Sequence, residues 1–345
     1  MLDPVMAQVS IILPTYNRAR FLPQAFDSIV GQTLDDWELI IVDDGSTDET
    51  ASIVREFQVK EARSVRYVQQ TNQGPAAARN AGLDLARAPL IAFFDSDDCW
   101  LPHHLQDCAR ALDGVPEVDW VFAPYRLVRF SDRHIAIENS FFPKGAPRSF
   151  LSLQRRGVGP LWMIDDPGAV RNVINDNQFA GLPPSVVRAK VFQSVRLPMF
   201  RAGEDAVFAI ETLARGFRAG YLNDVHYLYY LHDDHVSNID DKAPVAKRAA
   251  YQAELVNALS ALDSSGLLTG ADRTALRARL FRETFWTLGY GLYWLAGMHR
   301  EAIGTFEAAL RRSPFNLASW KTYFVCRART AAMAFSSSPL KKPPA

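Results

Sequence analysis

Three times within the first hundred residues a short apolar run stops and a polar cluster follows at once. Val9–Leu13 precedes Pro14–Arg18, Trp37–Val42 precedes Asp43–Asp48, and Leu90–Phe94 precedes Asp95–Asp98. Helical patterns separate the runs, so the element order is βαβα and the fold class is α/β, a mostly parallel sheet flanked by helices. In such sheets ligands bind outside the carboxyl ends of the strands. All three clusters fall there.

The first strand is expected to stop at Pro14, and Phe21, Leu22, Phe26, Ile29 and Val30 then share one face of a helix. Ser46 and Glu49 have the spacing of a capping box that opens the next helix. Val65–Val68 reads as a third strand, Pro75 occupies the first turn of a helix over Ala76–Ala86, and Val118–Ala123 is a further candidate strand. Neither a Gly-x-Gly-x-x-Gly turn nor a P-loop follows the first strand, which removes the main support for a dinucleotide or P-loop site.

Carboxylates gathered at one place repel, so their convergence needs a reason. A divalent cation, Mn2+ or Mg2+, bridging carboxylates to a diphosphate supplies one. Asp48 is read as a helix cap, whereas Asp95-Ser96-Asp97-Asp98, directly after a buried strand, is read as metal-binding.

The motifs Val9-Ser-Ile-Ile-Leu-Pro14-Thr-Tyr16-Asn17-Arg, Ile-Val-Asp43-Asp44-Gly-Ser, Asn72-Gln-Gly74-Pro-Ala-Ala-Ala-Arg79-Asn80-Ala-Gly82 and Phe-Phe-Asp95-Ser96-Asp97-Asp98 occur in this order. Together they resemble the motifs of family 2 glycosyltransferases, inverting enzymes of the GT-A fold, over about residues 8 to 240. The resemblance implies a nucleotide-sugar site built from Pro14, Tyr16, Asn17, Asp43, Asp44, Gly74, Arg79, Asp95 and Ser96. Either Asp43 or Asp44 would accept the imide N–H of the base, which suits a uridine donor, and Gly74 and Gly82 would permit close backbone approach. Arg79 would lie near the base or diphosphate; outside the motif it would read as a surface residue on an alanine-rich helix.

Phe200-Arg-Ala-Gly203-Glu204-Asp205-Ala-Val-Phe208 resembles the family's Glu-Asp motif. It implies Asp205 as catalytic base, with Glu204 supporting it, although Glu-Asp after Gly is also an ordinary helix start. His232 and Ser237 match a later segment of the family, in which Tyr230 replaces a frequent arginine. The resemblance puts His232 beside Asp95, Asp97 and Asp98 as a metal ligand, with a merely packed histidine as the alternative. His103-His104 has no partner at useful spacing and is read as surface. Residues 143–184, rich in Gly, Pro and Asn, are read as acceptor-shaping loops.

Length bears on organisation. At roughly 150 residues per domain, 345 residues suggest about two domains. The expected division is a transferase domain over 1–240, with a nucleotide half at 8–125 and an acceptor half at 126–240. A helical extension follows over 245–333, and then a disordered tail over 336–345. Glu301-Ala-Ile through Pro314 resembles one tetratricopeptide-type helical hairpin, too few for a solenoid, and packing on the transferase domain is its expected role. Phe285, Trp286, Tyr290, Tyr293 and Trp294 form an aromatic stretch that offers a protein or membrane contact.

Lys+Arg and Asp+Glu both count 38, so no basic excess points to nucleic acid. Three cysteines without a C-x-x-C pair speak against a disulfide framework or a structural zinc site. The longest uncharged apolar stretch, Thr284–Met298, is shorter than the roughly 20 residues a spanning helix needs. The first residues have no basic n-region and include Asp3, unlike a signal peptide. The expectation is a cytoplasmic protein, peripheral at most to the inner face of the membrane.

The functional expectation is a metal-dependent inverting glycosyltransferase. Its partners would be a nucleotide diphosphate sugar, a UDP-sugar first, and a glycan or lipid-linked acceptor for surface polysaccharide or glycoconjugate synthesis. The alternatives are a sugar-phosphate nucleotidyltransferase, which would want a glycine-rich first loop, and a degenerate transferase acting as an interaction scaffold.

Overall fold

The computed structural model describes residues 7–176, 181–200, 203–232 and 243–336. The chain divides into two units, Met1–Asn238 and Ile239–Ala345. Unit one begins with β1 (Val9–Thr15), α1 (Leu22–Val30), β2 (Trp37–Asp43), α2 (Thr50–Lys60), β3 (Val65–Gln69), α3 (Pro75–Leu85) and β4 (Leu90–Phe93). There follow β5 (Cys99–Trp100), α4 (His104–Gly114), β6 (Trp120–Phe122), β7 (Tyr125–Arg129), β8 (Ile135–Ile137), β9 (Arg155–Val158), β10 (Leu161–Ile164) and α5 (Ala169–Asp176). Unit one then adds β11 (Ser185–Arg188), α6 (Glu204–Ala214), β12 (Ala219–Tyr221) and β13 (Tyr227–Leu231).

The main sheet runs β3-β2-β1-β4-β11-β6-β12-β10-β9, and a smaller one runs β5-β13-β7-β8. β3, β2, β1 and β4 are parallel, but β11 is antiparallel to both its neighbours and β9 and β10 form an antiparallel hairpin. The sheet is therefore mixed rather than mostly parallel. Its parallel half is the one that matters for the site, because β2, β1 and β4 are neighbours that end on the same edge. Ile11, Leu13, Leu39 and Ile41 are fully buried with Leu22, Phe26 and Ile29 of α1 in one core. Val30, placed on that face by spacing, points outward instead.

Pro14 does not stop β1, which continues in register to Thr15 opposite Asp43. Ile12 accepts the N–H of Phe94, so its parity faces β4. Pro14 shares that parity, and β4 has already ended beside it, so the missing N–H costs no ladder bond. The capping box does not form either. Ser46 Oγ accepts the N–H of Asn17 instead, while Asp48 Oδ1 takes the N–H of Thr50 at the start of α2.

The Gly157–Pro160 segment, expected as loop, is the hairpin of β9 and β10, closed where Gly159 adopts a positive φ of 60°. Histidines 103 and 104 are not a surface pair. His104 is fully buried against Trp100, with its Nδ1 3.3 Å from Nδ1 of the equally buried His226 and 3.8 Å from Cys108 Sγ.

Unit two is helical: α7 (Val245–Ser264), α8 (Gly270–Phe281), a continuation over Arg282–Trp294 with wider π-type turns, α9 (His299–Arg312) and α10 (Leu317–Ser336). Phe281, Phe285, Trp294, Phe306, Tyr323 and Cys326 form its core. The aromatic stretch read as a contact surface is thus largely interior, with Phe285 and Trp294 buried and Tyr290 and Tyr293 packed against them. Gly289 faces Phe306, where a Cβ would sit 2.8 Å from the ring, so only glycine fits that helix pair. Among the described residues no helix is long and apolar enough to cross a membrane.

Candidate active site

The loop after β1 is held by its neighbour after β2. Asn17, at a φ of 51° that asparagine tolerates, accepts the N–H of Thr47 through Oδ1. Tyr16 beside it is exposed. Asp43 and Asp44 are both buried. Asp43 accepts the N–H of Ser46 and the hydroxyl of Tyr67. Asp44 accepts the N–H groups of Gln73 and Gly74 at 2.9 and 2.8 Å and the side-chain amide of Gln70. Asp43 therefore holds the turn after β2 against β3 and Asp44 organises the turn into α3, roles that no local pattern announces. Gly74 caps α3 at a φ of 92°. Gly82 lets α3 approach β1, since a Cβ there would meet Ile12 Cγ2 at 2.4 Å.

Arg79 is not a surface residue. From α3 its guanidinium donates to Asp95 Oδ1 at 2.7 Å and to Glu204 Oε1 at 3.4 Å. Burial opposes its charge, and Asp95, Asp205 and Glu204 outweigh burial, so the group stays protonated. One cation thus joins the loop after β4 to the start of α6. Gly203 takes a positive φ of 80° to open that helix, and Glu204 and Asp205 fill its first turn.

Asp205 Oδ1 is buried with no hydrogen-bond partner. The backbone N–H of Leu182 reaches this carboxylate, and Gly181 allows the approach, because a Cβ there would lie 2.9 Å from Oδ2. Burial first, then Glu204 and Asp95, push the Asp205 carboxyl up to about 7, against the pull of Arg79. The sequence offered no sign of the Gly181–Leu182 contribution.

The acidic loop divides into two kinds of carboxylate. Asp97 Oδ2 lies 3.2 Å from Arg18 Nε and 3.1 Å from His232 Nε2, and His232 is packed on Phe21. Arg18, present in the first motif yet given no role by the sequence, is thereby part of the site. Asp98 is different. Its Oδ1 accepts the N–H of Tyr230 at 2.7 Å and its Oδ2 the hydroxyl of Tyr227, and it is buried. Both oxygens hold β13 in place, so Asp98 leaves the metal-ligand set. Ser96, between Asp95 and Asp97 in the chain, is also buried. Arg201 and Ser237 lie outside the described residues.

A hard divalent cation fits what remains. Asp95 and Asp97 supply oxygen donors with His232 beside them, and the crowding of Asp95 and Asp97 contributes, after burial, to holding the Asp98 carboxyl well above its usual range. A cation at Asp95 and Asp97 would relieve that repulsion.

Residues 10–163 match the sequence model for Glycosyl transferase family 2. Among curated relatives, TuaG of Bacillus subtilis, provisionally named a teichuronic acid biosynthesis glycosyltransferase, is 26% identical over 290 residues, 79% of this chain and 97% of its own. Other relatives, uncharacterized glycosyltransferases at 41% and 45% identity, are matched over only 31% and 37% of their length. Staphylococcus aureus TarS 1-349, solved with UDP-GlcNAc, superposes with a TM-score of 0.63 at 20% identity, covering 88% of this chain and 81% of that one. The mannosyltransferase PcManGT of Pyrobaculum calidifontis, solved with GDP-Man and Mn2+, gives 0.52 at 19%, covering 96% and 81%. At such identities the structural likeness is one of fold, and that fold is GT-A followed here by a helical region.

Proposed function

We propose, from the match of residues 10–163 to Glycosyl transferase family 2, that the protein transfers a sugar from a nucleotide diphosphate donor to an acceptor hydroxyl with inversion. The carrying observation is Arg79, which ties the donor-side carboxylate Asp95 to Glu204 beside Asp205. Donor phosphates and the acceptor hydroxyl have to meet within one such cluster for a direct displacement.

In this reading Asp205 takes the acceptor proton as the hydroxyl oxygen bonds to the anomeric carbon and the bond to the diphosphate oxygen breaks. A carboxyl at about 7 is matched to that work. Arg79 keeps Asp95 and Glu204 in register and offsets their charge. Asp95 and Asp97, with His232 adjacent, would hold Mn2+ or Mg2+, which supplies neutralisation of the leaving diphosphate. Pro14, Tyr16, Asn17, Asp43, Asp44, Gly74 and Ser96 line or shape the nucleoside side, Asp43 and Asp44 by fixing its loops.

UDP-sugars are the first donors to try, because a buried carboxylate suits the imide N–H of uracil and TarS was solved with one. The acceptor class is a glycan or lipid-linked intermediate of surface polysaccharide, in line with the name given to TuaG. The test is a panel of UDP-, GDP- and dTDP-sugars assayed for donor turnover with Mn2+, beside Asp205→Asn. Turnover of one donor, lost in the variant while nucleotide binding persists, supports the reading. Turnover that survives Asp205→Asn overturns the base assignment.

A further inference from the structure

No acidic residue follows Glu307 in this sequence, whereas Arg311, Arg312, Lys321, Arg327, Arg329, Lys341 and Lys342 do, in a molecule whose 38 basic and 38 acidic residues cancel overall. Most of this segment is α10 and the turn before it. One face of α10 is spoken for: Ser319, Tyr323 and Cys326 are buried, and the Tyr323 hydroxyl donates to Glu307 of α9.

The opposite face is apolar. At 3.6 residues per turn, positions 317, 321, 324, 328 and 331 fall on one line, with 325 and 332 alongside. These are Leu317, Lys321, Phe324, Ala328, Ala331, Val325 and Ala332, all exposed. Leu317 is 78%, Phe324 59% and Val325 45% exposed, and Phe315 just before the helix is 93% exposed. Arg327 and Arg329 flank this stripe on its two sides.

A monomer in water gains nothing by turning Phe315, Leu317 and Phe324 outward together. A second copy of the same face does not fit, because pairing would oppose Lys321 and Arg329 with their own like charges, and Glu307 is already engaged by Tyr323 and Arg327. An apolar stripe edged by cations whose stems can lie along it is what an anionic bilayer surface takes up. We propose that α10, with Phe315, is a lipid-docking helix that lies in the headgroup region of an anionic membrane. It lies on the surface and does not span, since Lys321, Arg327 and Arg329 interrupt its 20 residues. The docking does not depend on the catalytic reading, and it moves the membrane contact from the interior stretch Phe285–Trp294 to this outward face.

The experiment is co-sedimentation of the full chain with vesicles of phosphatidylcholine alone or mixed with phosphatidylglycerol, at low and high salt, with light scattering of the protein without lipid. Binding to the mixed vesicles is expected, weakened by salt and by Lys321→Gln/Arg329→Gln by roughly thirtyfold. Phe315→Ser/Phe324→Ser should weaken it by about tenfold or more. All four positions face solvent, so circular dichroism should be unchanged in these variants. Absence of binding to either vesicle overturns the proposal. So does a dimer that Phe315→Ser/Phe324→Ser dissociates, which would make the face a protein interface.

Discussion

The guanidinium of Arg79 lies 2.7 Å from Asp95 Oδ1, and through its other terminal nitrogen it also reaches Glu204, 125 residues further along the chain. Two regions of unit one that are distant in sequence are thereby locked by one buried cation. Removing it leaves Asp95, Glu204 and Asp205 facing one another without compensation. Arg79→Ala is therefore expected to cost about 3–5 kcal/mol of stability, read by urea unfolding, together with loss of donor turnover. Arg79→Lys keeps the charge and not the fork, so it should recover much of the stability and little of the turnover.

Asp97 and Asp98 should separate cleanly. Asp98→Ala strands the Tyr227 hydroxyl and the Tyr230 N–H, for a cost of about 2–5 kcal/mol. Asp97→Asn keeps its shape and should leave the melting temperature within a few degrees while weakening Mn2+-dependent nucleotide binding. Thermal melts and a metal titration of both variants check this; equal loss of stability in the two would contradict it.

The Asp205 carboxyl, lifted to about 7 by burial first and by its acidic neighbours, sets the acid limb of turnover. As a base it must be ionised, so kcat/KM should rise with pH through about 7 and flatten above. Linkage gives a second readout. The folded state holds this proton more tightly than the unfolded chain, so the group's stabilising contribution is complete below about 4 and is lost as pH rises through about 7. Asp205→Asn should accordingly be more stable than the parent at pH 8, by up to about 4 kcal/mol, and no different near pH 4.

Burial drives both His104 and His226 down, His226 to about 3; His226 and His103 add to the effect on His104, and His103 to that on His226. Both are neutral when folded. Below about 6.5 the unfolded chain takes up protons that the folded state refuses, so stability should fall as pH falls, by about 1.4 kcal/mol per unit for each histidine. The raised carboxyls of Asp205 and Asp98 contribute a slope of opposite sign in this range, so the histidine part is read as the difference in urea midpoint between the parent and His104→Leu from pH 7 to 5.5. His104→Leu should make the histidine part shallower.

How far the sequence carried the argument follows from the range of its signals. β1, β2 and β4 are predominantly apolar runs, and the polar clusters at their ends read directly because period and composition are local. The GT-A identity rode on four motifs that keep the same order. What failed was long-range. Nothing near Asp98 distinguishes it from Asp97, because the distinction lies in Tyr227 and Tyr230, about 130 residues away. His104 looked like surface because its partner His226 is 122 residues distant. Pro14 looked like a stop because its harmlessness depends on where β4 ends. The β9–β10 hairpin reads as loop because Gly-Pro turns between short strands carry the composition of loops.

The proposed chemistry turns on whether the carboxylates after β4 hold a nucleotide through a cation. The direct measurement is calorimetric titration of UDP into the protein with and without Mn2+, beside the Asp95→Ala/Asp97→Ala double variant. The expected result is binding that requires Mn2+ and disappears in the variant. UDP binding indifferent to both metal and variant, or no binding of UDP, GDP or dTDP with Mn2+ present, would contradict it.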